Sequence, residues 1–154
     1  MGYNEMKKLS FFFLIFICSC TSSFEDKMIK CVKQHVEDSK LEIDVNEIYD
    51  DWDYMYIFME CASYDDVVNI IGKTNYIHDS SCDIVFEKEG KIVKYVQLFP
   101  YEGWPNESKN LIRFHFVSSC YRKFKKDEAY FKIEKYNSTY ILSPIEIPFD
   151  YKSK

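Results

Sequence analysis

The stretch CDIVFEKEGKIVKYVQLF, from Cys82 to Phe99, constrains the fold of this chain more than any other. Two runs rich in β-branched and aromatic residues flank the pair Glu89–Gly90, and that pattern predicts a β-hairpin. A second hairpin is predicted in AYFKIEKYNSTYIL, turning at Asn137–Ser138. Two more runs read as strands. DYMYIFME, Asp53 to Glu60, is apolar or aromatic on both faces, as a buried strand is. In LIRFHFVSSC, Ile112, Phe114 and Phe116 share one face.

Helical periodicity occurs twice. Phe24, Met28, Cys31, Val32 and His35 line one face from Phe24 to about Val36. In SYDDVVNIIG, Ser63 is placed to cap the amide of Asp66, Asp65 and Asp66 sit at the positive helix end, and Gly72 closes the helix. The segment DSKLEIDVNE between these units is polar and irregular. The expected architecture is α+β: one sheet of about six mostly antiparallel strands, with two helices packed on one face. Residues 24–150 form the expected single domain, and 151–154 a polar tail.

The first residues follow different rules. Lys7 and Lys8 precede a dense apolar run from Leu9 to Ile17. A helix of that length covers about 14 Å, against the roughly 30 Å of a bilayer core. A charged start, a short apolar run and small residues after it describe a signal peptide. MKKLS at Met6 reads better as a start than Met1, and Gly2 lacks the Ser or Thr that myristoylation needs at position 6. Ile17, Cys18, Ser19 and Cys20 resemble the lipobox of bacterial lipoproteins, in which a small residue precedes the lipidated cysteine. An ordinary signal peptide or a short buried helix would share the apolar run but not that site. The resemblance implies cleavage after residue 19, acylation of Cys20 with palmitate-type chains, and a short tether over 20–23. Each buried methylene contributes about 0.8 kcal/mol, so two or three acyl chains anchor permanently where one does not. Thr21 stands where many inner-membrane lipoproteins carry Asp, which points to the outer membrane, and SSFED loosely resembles an acidic surface-export tag.

Two resemblances concern the domain. DDWDYMYIF, a capped helix and IVFEKEGKIV, over residues 50–98, resemble a family of small bacterial lipoproteins of unassigned activity. That family often continues its strand with Pro-Tyr-Thr, whereas this chain has Cys61, Ala62 and Ser63. More distantly, a helix and glycine before FEKEGKIV is similar to outer-membrane assembly lipoproteins of the SmpA/OmlA type, which place their helices before the sheet.

Composition limits the partners. The whole chain carries a net charge of −5, and losing Lys7, Lys8 and Glu5 with the signal makes the remainder one unit more acidic. Net acidity argues against nucleic acid, and 18% aromatic residues argue against disorder. Acids concentrate in residues 21–89 and bases in 90–154. The run YRKFKK, Tyr121 to Lys126, either neutralises EIYDDWD, Glu47 to Asp53, or steers a charged partner.

Four cysteines follow Cys20: Cys31, Cys61, Cys82 and Cys120. In an exported protein they are disulfide candidates. The expected pairs are Cys82–Cys120, at the ends of neighbouring strands, and Cys31–Cys61. Cys31 with His35, and His78 with Cys82, also have ligand-like spacing, but the tight cysteine knuckle of common zinc sites is missing and no metal is expected. The acidic run lacks the glycine and distal glutamate of a calcium loop. Trp52 reads as core, and Trp104, in YEGWPNES, as a recognition-loop candidate.

No catalytic elbow or phosphate-cradling loop is visible. Cys120 and His115, five positions apart on a strand, would stand about 17 Å apart. The expected role is non-enzymatic and cofactor-free: a membrane-anchored envelope lipoprotein that binds another envelope protein, as an assembly, inhibitor or immunity-type factor. The alternative is a surface lipoprotein binding a small molecule or glycan.

Overall fold

The computed structural model describes residues 22–73, 82–98 and 112–146. Its elements run α1 (Phe24–Glu37), β1 (Glu42–Asp44), a 3-10 turn (Val45–Glu47), β2 (Tyr54–Phe58), α2 (Tyr64–Ile71), β3 (Cys82–Lys88), β4 (Lys91–Leu98), β5 (Ile112–Phe114), β6 (Tyr121–Lys125), a second 3-10 turn (Lys126–Glu128), β7 (Tyr130–Tyr136) and β8 (Thr139–Pro144). The α+β class and the mostly antiparallel pairing are as expected. The sheet is not one of six strands, however: eight strands form two four-stranded sheets, ordered β1-β7-β8-β5 and β4-β3-β2-β6. Only β5–β8 pairs parallel among the described strands.

The two strands beyond expectation have physical reasons to be hidden in the sequence. β1 is three residues long with a single buried side chain, Ile43, set opposite Phe131. β6 lies inside the basic run, and only Phe124 of its five residues is buried. Both are edge strands, which expose polar and charged residues along their free side.

Both hairpins form where expected. At the β3–β4 turn Glu89 and Gly90 have φ of 51° and 74°. Two successive left-handed residues match the strand twist, and Gly90 meets that requirement without a Cβ penalty. The β7–β8 turn places Asn137 at φ 54°. β5 is shorter than expected, because the chain leaves the ladder after Phe114 although Phe116 remains buried.

The two sheets and α1 enclose one apolar cluster. α1 contributes Phe24, Met28 and Val32; β2 and β3 contribute Met55, Ile57, Ile84 and Phe86; β7 and β8 contribute Phe131, Ile133 and Leu142. Phe86 is its hub, with the rings of Phe24, Tyr49 and Trp52 meeting it edge-on at centroid distances of 5.4, 5.0 and 5.6 Å. Trp52 is buried as expected, and its indole N–H donates to the Tyr49 carbonyl at 2.8 Å. Successive side chains of β2 point to opposite faces, so Tyr56 and Phe58 leave this core and join a second cluster with Val85, Ala62 and Val67 of α2. The helices therefore pack on opposite faces of the β2–β3 sheet. The expectation of one helical face is corrected by the two-sided hydrophobicity of β2 itself.

Helix α2 begins as its sequence implies. Ser63 accepts from the Asp66 amide at 3.1 Å, and the Asp66 carboxylate accepts from the Ser63 amide at 2.8 Å. This reciprocal pair satisfies two amides that a helix start leaves open. Gly72, at φ 82°, closes the helix.

Candidate functional site

Three chemically distinct side chains converge where α1 meets the Val45–Glu47 turn. Cys31 and His35 are one helical turn apart on α1, and the short β1 strand followed by the 3-10 turn brings Glu47 to them. The His35 Nε2 lies 3.0 Å from Glu47 Oε2, and the Cys31 thiol donates to that same oxygen at 3.9 Å. The other ring nitrogen, Nδ1, lies 2.6 Å from the Glu42 carbonyl and donates to it. His35 is only 9% exposed, while the Glu47 side chain is about half exposed, so the group is anchored inside and open outside. Burial, and then the charge of Glu47 and the hydrogen bond to it, push the Cys31 thiol up from its ordinary range.

The cysteines do not pair as expected. Cys61 bonds Cys120 across a Cα–Cα distance of 5.4 Å, and Cys31 and Cys82 are free. The reason is strand order. β2 lies between β3 and β6, so β6 neighbours the end of β2, not the start of β3. The Met59 amide donates to the Cys120 carbonyl at 2.8 Å, which sets Cys61 beside Cys120. Cys82 is instead buried, and desolvation drives its thiol well above the usual range. Free Cys82 helps to line a cavity of about 310 Å³ with Met59, Glu60, Leu98, Arg113 and His115.

The outer face of the β2–β6 pair is aromatic and cationic. Tyr54, Tyr56 and Phe58 stand opposite Lys125, Lys123 and Tyr121. The Lys123 ammonium lies 3.8 Å from the centroid of the Tyr54 ring and 5.1 Å from that of Tyr56. The Tyr56 hydroxyl donates to Glu87 at 2.9 Å. Burial raises its pKa, opposed by the hydrogen bond to Lys123 and reinforced by Glu87. Helix α2 covers Phe58 and Val85, whereas Tyr121, Lys123 and Lys125 are exposed. The basic run divides between two uses. Lys126 donates to the Asp50 carbonyl, within the acidic segment, while Lys123 and Lys125 stand on the outer face.

Of the residues singled out in the sequence, Cys20, His78 and Trp104 lie outside the described residues, as do 1–19 and 151–154. Cys31 and His35 do share a face, but their nearby acid is Glu47, twelve residues beyond His35, and no spacing rule would have selected it. Cys82 is not part of that group. Among the described residues no helix is long and apolar enough to cross a membrane. The comparisons with protein-family models, curated proteins and solved structures return no match, so the functional reading rests on geometry.

Proposed function

We propose that this chain is a lipid-anchored protein of the bacterial envelope, held by Cys20, whose domain binds another envelope protein without catalysing a reaction. The observation that carries the binding role is the exposed edge strand β6, where Tyr121, Lys123 and Lys125 stand open beside half-buried Tyr54 of β2. Exposed tyrosine is among the residues enriched at protein-interface hot spots, and Lys123 and Lys125 suit a partner surface rich in carboxylates by charge complementarity. The non-enzymatic reading draws support from the disulfide, which occupies Cys120, the thiol weighed with His115 as a nucleophile–base pair.

The test is photocrosslinking in intact cells, with the reactive residue placed at Lys123 or, as the control, at Lys132 on the other sheet. One stoichiometric adduct from position 123 alone supports the reading. The double variant Tyr121→Ala, Lys123→Glu should then weaken binding of that partner about 30-fold, the equivalent of one hot spot. No adduct, or the same adduct from both positions, would sink it. The anchor is tested by intact mass: a chain starting at Cys20 with diacylglycerol and acyl additions is expected, and an unlipidated one refutes the anchor.

The cavity favours a second reading, a surface lipoprotein holding a small molecule or glycan. At about 310 Å³ it is at the lower end of ligand-site sizes, and Arg113, His115 and Glu60 offer polar contacts beside apolar Leu98 and Met59.

A further inference from the structure

We propose that Cys31, His35 and Glu47 form a site for a zinc-class divalent cation, with Sγ, Nε2 and Oε2 as three ligands and a fourth position open to solvent. The inference is independent of the binding role proposed above. Thiolate, imidazole and carboxylate are the donors that zinc takes, and three protein ligands plus an open position is the arrangement of zinc sites that keep a water.

The geometry fits without rebuilding the backbone. Zinc bond lengths of roughly 2.0–2.3 Å in a tetrahedron separate neighbouring ligand atoms by roughly 3.3–3.6 Å. Here Nε2 and Oε2 are 3.0 Å apart, Sγ and Oε2 are 3.9 Å apart, and all three atoms lie within 4.8 Å of one another. The two separations to Oε2 are each within roughly a few tenths of an ångström of that spacing, and rotation of the Cys31 side chain adjusts the third. A cation would take the place of the thiol hydrogen between Sγ and Oε2 and would lie between Nε2 and Oε2.

A plain ion pair accounts for less. It explains the His35–Glu47 contact, but not the thiol one helical turn away that turns toward the same oxygen. Nor does it need the ring to be oriented from behind. The Nδ1 hydrogen bond to the Glu42 carbonyl directs Nε2 at Glu47, and ligating histidines are held by such a bond on the nitrogen that does not bind the metal. The half-exposed Glu47 side chain leaves a path for the cation to enter.

The experiment is Co²⁺ titration of the purified full chain with its disulfide intact, followed by Zn²⁺ competition. Wild type and Cys82→Ala should each bind one Co²⁺ with a sulfur-to-cobalt charge-transfer band and the strong visible bands of a tetrahedral site, and Zn²⁺ should displace it. Cys31→Ser should lose the charge-transfer band. Glu47→Gln, a change at a half-exposed side chain, should lower affinity at least about 10-fold and decides the matter should the serine variant fail to fold. Absence of the bands in wild type, their persistence in Cys31→Ser, or unchanged affinity in Glu47→Gln would overturn the site and leave an ordinary ion pair.

Discussion

Removing the Cys61–Cys120 bond tests the fold most directly. The bond links the end of β2 to the start of β6 across a sequence separation of 59 residues. In the chain-entropy account, closing a loop of that length in the unfolded chain stabilises the folded state by about 4 kcal/mol at 25 °C. That is a large share of the roughly 5–15 kcal/mol that holds a typical domain. For a domain of this size it corresponds to a fall in Tm of roughly 12–20 °C. The double variant Cys61→Ala, Cys120→Ala leaves no orphan thiol and is the appropriate comparison in thermal and urea melts. A loss below about 1 kcal/mol would refute the assignment of stability to this loop. Thiol mapping supplies a separate check. Alkylation of the native protein should modify half-buried Cys31, and Cys82 should react only after unfolding, since it is buried and its thiol is pushed up. Four reactive thiols, or a peptide joining Cys31 to Cys61, would refute the strand order itself, because that order is what sets Cys61 beside Cys120.

Other predictions address the core, the cap and the outer face. Phe86→Ala should cost about 3–5 kcal/mol in urea denaturation, as for buried aromatics generally, because it removes the ring on which Phe24, Tyr49 and Trp52 converge. Ser63→Ala should destabilise by about 1 kcal/mol, with amide exchange accelerated in α2 before other elements. The hydrogen bonds from Ser63 lower the Asp66 pKa below its usual 3.8. A carboxylate depressed in the folded state stabilises above its unfolded pKa, and that contribution is lost as pH falls through the folded value. Protection of α2 should therefore weaken in acid below the ordinary carboxylate range, and exchange of Ser63→Ala should lack this component. Glu87→Gln should bring the Tyr56 phenol down towards its ordinary range, since Glu87 adds to the rise that burial gives it; a tyrosine titration unchanged in the variant would refute that hydrogen bond.

Legibility followed how much of each element's pattern is local. The capped helix α2, the helical face of α1 and both hairpins depend on neighbours within a few positions, so Ser63, Gly72, Gly90 and Asn137 announce them. β1 and β6 do not: each exists because a partner strand fills one side of it, and its own residues are those of an exposed edge. The candidate site divided the same way. Cys31 and His35 on one face of α1 were readable, while Glu47 was readable only as part of an acidic run.

Sequence by itself determined the α+β class, the two helices, the two hairpins and the burial of Trp52, because period, caps and turn residues act at short range. Tertiary structure decided that the strands divide into two sheets, that α1 and α2 take opposite faces of one of them, and that Cys120 meets Cys61. It also brought Glu47 to His35. These outcomes depend on which strands become neighbours. That choice is made by burying both faces of β2 at once, one against α2 and the other against α1 and the second sheet, and no local stretch of the chain encodes it.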